Sequence, residues 1–219
     1  MMKSPRYQAE CIYIPNGGYD MVNIISNNCI GSWITTKCIK QQLVNPFSWC
    51  TIPYESMKYI IGNYPNMNFG KFKLIADDSF SMFSIEIDGK CVVNYPHYRF
   101  KPDVEYEKKD VDIYSNHVWE LVVSKYIERA KRMIQMNLTI PIFILSYANR
   151  HPLKNCAKYT VDEIDDIKCN NKYNYPIYTS FEYYQNPDNI KQSECFYDNG
   201  IQLAKYLYGR IPEIYEYNN

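Results

Sequence analysis

The chain has 219 residues, 46% hydrophobic and 22% charged, which is enough apolar material for one sizeable core. Its 24 basic and 24 acidic side chains balance to zero net charge, which disfavours a nucleic-acid binder, since such proteins carry a basic excess that displaces counterions. No stretch approaches the roughly 18 consecutive apolar residues of a membrane span, and Met1–Glu10 lacks the apolar centre of a signal peptide, so a reduced, cytoplasmic setting is expected (host cytoplasm for a viral source).

In chain order, residues 1–20, with Pro15-Asn-Gly-Gly18, read as an extended arm, and residues 21–219 as a single α/β domain. Met21 to Ile25 is short, β-branched and closed by Ser26-Asn-Asn28, which predicts a buried strand. From Ile30 to Leu43 the apolar residues Ile30, Trp33, Ile34, Cys38 and Ile39 recur at helical spacing, and Ser26, Asn27 or Asn28 can cap that helix. Asn45-Pro-Phe-Ser-Trp-Cys50 breaks it, and a second helix starts at Pro53. Asp88-Gly89 between two alternating runs predicts an antiparallel β-hairpin over residues 84–93 with a type I′ turn. The mixed charge run Glu105–Asp110 reads as a solvated loop. A long helix is expected from Asn116 to Met136, capped by Ser115, with Val118, Trp119, Val122, Tyr126, Ala130, Met133 and Ile134 on its apolar face. Ile140–Ser146 reads as a fully buried strand, Thr160–Ile167 as a helix, Pro176–Phe181 as a strand and Gly200–Tyr208 as a terminal helix.

Strands alternating with helices predict a three-layer α/β domain, a mostly parallel sheet covered by helices on both faces, with the hairpin inserted or appended. In such sheets ligands bind beyond the carboxyl ends of the strands. Three loops occupy such places: Ser26–Gly31, Tyr147–His151 and the segment after Phe181. In the first, Ser26, Asn27, Asn28, Gly31 and Ser32 surround a predicted helix start, whose backbone N–H groups favour an anion such as phosphate. In the second, Arg150 and His151 are candidate substrate contacts. The first loop has one glycine where a dinucleotide fingerprint has three, and lacks the lysine of a phosphate-binding loop. No cofactor or metal is implied.

Cysteines stand at 11, 29, 38, 50, 91, 156, 169 and 195. Without a C-x-x-C pair there is no zinc-ribbon or thioredoxin signature, and free thiols are expected. Cys29 stands at a helix start, where the helix dipole favours a reactive thiolate. A base would have to be His97, just past the hairpin, or His151; His117, in the first turn of the long helix, reads as a surface residue. The structural alternatives carry weight: a cysteine near a strand end is more often packing than nucleophile, and a lone histidine is usually a satisfied polar group. Trp33, Phe47 and Trp49 read as core. The 23 tyrosines, with abundant Asn, Ile and Lys, fit an AT-rich genome, such as that of a large DNA virus or an AT-rich bacterium.

Ser26-Asn-Asn-Cys-Ile-Gly-Ser32 after a strand resembles the opening of a family of exopolysaccharide-biosynthesis or virulence proteins. Pro46-Phe-Ser-Trp49 followed by Glu55–Ile61 is similar to the P-F-D-W block of a related papain-like cysteine peptidase family. Tyr95-Pro-His97 resembles the mid-chain histidine segment of both, and Ser124–Arg132 resembles their K-x-x-R-R-x-x-R helix. Ser48 replaces the aspartate of the block, and the arginine pair is broken. The resemblance, over Met21 to Ser146, implies an enzyme of polysaccharide or surface-glycan assembly, transferring a glycosyl or acyl group or modifying a sugar. Its substrate would be a small molecule or glycan, with a nucleotide-activated donor as one form. The catalytic residues would be Cys29 and His97. Two other readings stand beside it: a cysteine hydrolase using Cys29, His97 and one of Asp77, Asp78 or Asp112, and a non-catalytic binding or assembly protein.

Overall fold

The computed structural model describes residues 22–41, 45–76, 83–96, 108–138, 140–147, 158–185 and 196–213. Its elements are β1 (Asn23–Ser26), α1 (Ile30–Trp33), α2 (Tyr54–Asn63), β2 (Phe72–Ala76), β3 (Phe83–Ile87), β4 (Cys91–Tyr95), α3 (Lys108–Gln135), β5 (Pro141–Leu145), α4 (Val161–Cys169), β6 (Ile177–Thr179), α5 (Phe181–Gln185) and α6 (Phe196–Tyr208). Among the described residues no helix is long and apolar enough to cross a membrane.

Two three-stranded sheets organise the described residues. The first is parallel, in the order β1-β5-β6, with Ile24 opposite Ile142, Ile25 opposite Phe143 and Phe143 opposite Ile177. Successive side chains of a strand point to opposite faces, so each of these apolar strands feeds two cores. Ile24, Ile142 and Ile144 pack with Ile30, Trp33 and Ile34 and with Leu203, Ala204 and Leu207 of α6. Ile25, Phe143 and Leu145 pack on the other side with Met57, Ile60 and Ile61 of α2, Val122 and Tyr126 of α3, and Ile164 and Ile167 of α4. This is the three-layer α/β arrangement that the alternation of strands and helices implies.

The second sheet is the antiparallel meander β2-β3-β4. Asp88 and Gly89 both take positive φ, 56° and 73°, as a type I′ turn demands. Lys90 N–H donates to the Ile87 carbonyl, while the ladder pairs Ile87 with Cys91 and leaves Lys90 as an extra residue. The paired residues Phe83/Tyr95, Ile85/Val93 and Ile87/Cys91 are all buried. They share one core with Ile25, Phe143 and Leu145, so the hairpin is a wall of the domain rather than an appendage. Strand β2 extends it with a Lys73–Glu86 ion pair at 2.9 Å across the ladder.

The limits of α1, α3 and α4 have local physical reasons, while the terminal helix begins at Phe196, four residues before the expected Gly200. Helix α1 stops at Trp33 and widens into a π-helical turn over Ile34–Cys38. There the Thr35 and Thr36 hydroxyls donate back to the Gly31 and Ser32 carbonyls, a back-bonding that disturbs regular helix. The chain leaving this turn lets the Gln41 amide exchange two bonds with the Val22 backbone (3.0 and 2.9 Å). Helix α3 begins at Lys108, inside the charge run read as a loop, so Ser115 is an interior residue rather than a cap. It ends on Asn137 in the left-handed region (φ 51°), with Leu138 N–H bonded to the Met133 carbonyl, a Schellman closure. Helix α4 starts one residue after Thr160, which forms a reciprocal capping box with Glu163.

Candidate functional site

The turn between β1 and α1 is built almost wholly from side chains that bond to its own backbone. Ser26 Oγ accepts from Gly31 N–H (2.9 Å) and donates to the Asn28 carbonyl. Asn28 Oδ1 accepts from Ile30 N–H (3.1 Å) and from the Ser146 hydroxyl (3.2 Å). The Asn27 amide both donates to the Ser146 carbonyl (3.1 Å) and accepts from Ser146 N–H (2.7 Å), which prolongs the β1–β5 pairing with a side chain after the strand has ended. Gly31 is required by close approach: a Cβ there would lie 2.6 Å from Ser26 Oγ and 2.9 Å from Ile24 Cγ2. The Ile30 and Gly31 amides, two of those expected to meet a phosphate, are therefore occupied by Asn28 and Ser26.

Cys29 stands at the N-cap of α1, and its carbonyl accepts from Trp33 N–H (3.0 Å). Its side chain is half-buried, packed against the α1/α6 core, while Ser26, Asn27 and Asn28 before it are buried. The thiol thus sits at the carboxyl end of a parallel strand, where ligands bind in sheets of this kind.

The wall beside it is the segment 45–52. Asn45 anchors this segment: its Nδ2 donates to Asn23 Oδ1 (3.0 Å) and to the Ile24 carbonyl (2.7 Å), and its Oδ1 accepts from Phe47 N–H (3.0 Å) and the Ser48 hydroxyl (3.2 Å). Trp49 takes a positive φ of 58°, a costly state for a bulky residue. In that state its N–H donates to Ser32 Oγ (2.7 Å), and its ring lies 6.2 Å from that of Trp33. Ile52 N–H donates to the Asn27 carbonyl (3.0 Å), and Thr51 exchanges two backbone bonds with Asn94 of β4 (2.8 and 2.9 Å). The Tyr95 hydroxyl donates to the Pro46 carbonyl (2.9 Å), and Arg129 Nη1 of α3 donates to the Ser48 carbonyl (2.6 Å).

Four stretches distant in sequence therefore meet: the Ser26–Ser32 turn, Pro46–Cys50, the end of β4 and the cationic flank of α3. Cys50 lies at their centre with no exposed surface. Burial above all, with Cys29 next, pushes its thiol well above the usual range, and Arg129 counters only part of that. It stays a neutral packing thiol. Cys91 behaves alike, pushed up to about 12 by burial.

Of the residues singled out from the sequence, Ser26, Asn27, Asn28, Cys29, Gly31 and Ser32 are brought together here. Trp33 and Phe47 are core, Trp49 is half-buried, and His117 is exposed on α3. His97, two residues past the end of β4, lies outside the described residues, as do Arg150, His151, Asp77 and Asp78; the Asp112 side chain does also. Sequence reading missed Asn45, Ser146 and the inward reach of Arg129. Asn45 carried a usable signal, since an Asn two residues before a turn residue forms the side-chain turn seen at Phe47 N–H.

No protein-family model matches the chain, and no curated protein matches it by sequence.

Proposed function

We propose that the chain is a thiol-dependent acyltransferase of polysaccharide or surface-glycan assembly, with Cys29 as its nucleophile. The observation that carries this is the placement of a half-buried thiol at the mouth of the parallel sheet, on a turn whose other polar side chains are buried and bonded inward. A nucleophile held on rigid elements by such a shell is prepared for attack. A donor phosphate bound at the helix start is less well supported, because Ser26 and Asn28 fill the Gly31 and Ile30 amides. This favours acyl over glycosyl transfer. The glycan context comes from the resemblance of the Ser26–Ser32, Pro46–Trp49 and Ser124–Arg132 stretches to polysaccharide-related families.

In the first step the Cys29 sulfur attacks the carbonyl of an activated ester or thioester. A carbon–sulfur bond forms, the bond to the donor's oxygen or sulfur breaks, and the proton leaving Cys29 passes through a base to that departing atom. In the second step a sugar hydroxyl attacks the Cys29 thioester: a carbon–oxygen bond forms, the carbon–sulfur bond breaks, and the hydroxyl proton passes through the base to the Cys29 sulfur, which restores the thiol. His97 is the base that the sequence nominates. Water in place of the sugar hydroxyl would make the same site a hydrolase.

Limited labelling with iodoacetamide at pH 6, read by peptide mass spectrometry, tests the nucleophile. Cys29 is expected to react about tenfold faster than the half-buried Cys38 and the exposed Cys169, with Cys50 silent. An acyl thioester donor should then leave its acyl mass on Cys29 and none on a Cys29→Ser chain. Labelling of Cys29 no faster than Cys169 would overturn the proposal and favour a binding or assembly role.

A further inference from the structure

We infer that the exposed flank of α3 is a self-association surface: two copies of the chain pair through antiparallel α3 helices, and the Trp119 indole of each enters a cavity at the carboxyl end of its partner's α3. Nothing in this depends on the Cys29 chemistry.

Helix α3 carries more apolar surface than the core uses. Val118, Val122, Tyr126, Ala130 and Met133 are buried in the core. Trp119, Val123, Ile127, Ala130 and Ile134 follow a second line, three or four residues apart, which a helix sets beside the first. Val123 and Ile127 are half-buried, but Trp119 is 40% exposed and Ile134 66% exposed. Scattered apolar side chains in water are normal, whereas an aligned row that ends on an indole marks an interaction surface. Beside Ile134 opens a cavity of about 500 Å³, between the end of α3 and residues 64–70. Tyr64, Met67, Phe69, Met133 and Leu138 give it apolar walls.

This surface is complementary to itself. Trp119 and Ile134 stand about 22 Å apart along the helix axis. In an antiparallel pair whose two-fold axis passes beside Ile127, Trp119 of each copy comes level with Ile134 of the other, and Val123 with Ala130. At roughly 3.6 residues per turn, Trp119 and the cavity-lining Met133 and Asn137 lie to one side of this row. Glu120 and Lys131 lie to the other. A two-fold axis carries each side of one helix onto the same side of its partner, so the indole meets the cavity and Glu120 meets Lys131. Both charged residues are exposed, and among the described residues neither has an ion-pair partner. Within one helix they are about 16 Å apart, too far to pair; across the axis they form two symmetric bridges. The zero net charge sets no general repulsion between copies. An aromatic anchor seated in an apolar cavity is the usual centre of binding energy at an interface. Both halves of each contact belong to this chain, which favours a second copy over a foreign helix.

Sedimentation velocity of the full chain in reducing buffer, from about 1 to 200 µM, tests this. Wild type is expected to pass from monomer to dimer across that range, and C29S to do the same. W119A should weaken the dimer about tenfold or more, and E120K or K131E alone about threefold or more. The charge swap E120K/K131E should return to near wild type, and only contact between copies can produce that recovery. A chain that stays monomeric at the highest concentration would overturn the proposal; saturable binding of free indole by that monomer would assign the cavity to a small aromatic ligand instead. A dimer indifferent to W119A, or a charge swap no stronger than E120K, would overturn it equally. If W119A fails to fold, E120K and the charge swap still decide the matter.

Discussion

Replacing Asn45 by alanine removes four hydrogen bonds from a side chain that is 3% exposed. Two of its partners are backbone groups fixed in place, the Ile24 carbonyl and the Phe47 N–H, and neither can turn to water. An orphaned buried group of this kind costs about 1–3 kcal/mol, so the pair together predicts a loss of roughly 2–6 kcal/mol. Against the roughly 5–15 kcal/mol that holds a typical domain, this is a large fraction. Urea unfolding of wild type and N45A should show the loss as a lower midpoint with unchanged slope. N45D is the control. Its carboxylate keeps both acceptor bonds but sets a second acceptor against Asn23 Oδ1 and the Ile24 carbonyl, so at neutral pH it should be no more stable than N45A. It should regain stability in acid, where a protonated oxygen can donate again. A loss below about 1 kcal/mol in N45A, or wild-type stability in N45D, would refute the claim that this amide anchors the wall of the site.

Gly31→Ala should destabilise the fold by about 1–3 kcal/mol in thermal or urea unfolding, because the added Cβ meets the bonded Ser26 Oγ and Ile24 Cγ2 at 2.6 and 2.9 Å; a neutral result would mean that the turn opens freely. Asp166 bonds Lys58 (2.7 Å) and the Tyr54 hydroxyl, and these two, the lysine first, hold its carboxyl below the usual range. A depressed carboxyl stabilises the fold above its unfolded pKa and loses that contribution as pH falls through the folded value. Wild type should therefore exceed D166N in stability at pH 6 and converge with it as the pH falls below the ordinary aspartate range; a gap that persists in strong acid would assign the effect to something other than the charge.

The alternation of apolar strands with amphipathic helices was enough to read the layered α/β plan, because burial on both faces makes β5 an unbroken apolar run and sets two isoleucines, Ile24 and Ile25, side by side in β1. The Asp88-Gly89 turn was legible for a stricter reason: few dipeptides accept two positive φ angles in succession. Strand β2 was not, since Phe72–Ala76 alternates only weakly and becomes a strand through pairing with β3. The early end of α1 was hidden for a similar reason. Ile34, Thr35 and Thr36 keep the helical period, and only the hydroxyl back-bonds reveal the wider turn. At the site, the sequence placed Cys29 and its polar neighbours together, but it read their polarity as directed outward to a ligand. The side chains point inward instead, because a chain that ends a buried strand must first satisfy its own amides.

That inward direction bears on the thiol itself. Asn23, Ser26, Asn27, Asn28, Ser32, Thr35, Asn45, Ser48 and Thr51 are all buried, and Ser146 faces them from the end of β5. If packing were the only requirement, apolar residues of similar volume would serve at least as well, since a hydrogen bond adds only about 1 kcal/mol net while an unmet one costs more. What such a polar network adds is a unique geometry: the Asn27 backbone amide and carbonyl, the Asn28 and Cys29 carbonyls, and the Ile30 and Gly31 amides are each held by a partner. Concentrating that network on the turn that carries a half-buried cysteine fixes the sulfur relative to the sheet mouth and to the Arg129 flank. Loosening it through Asn45 or Gly31 should therefore blunt the selectivity of Cys29 alkylation in proportion to the stability lost. Unchanged selectivity in a destabilised variant would separate the network from the thiol and remove the main support for treating this turn as a prepared site.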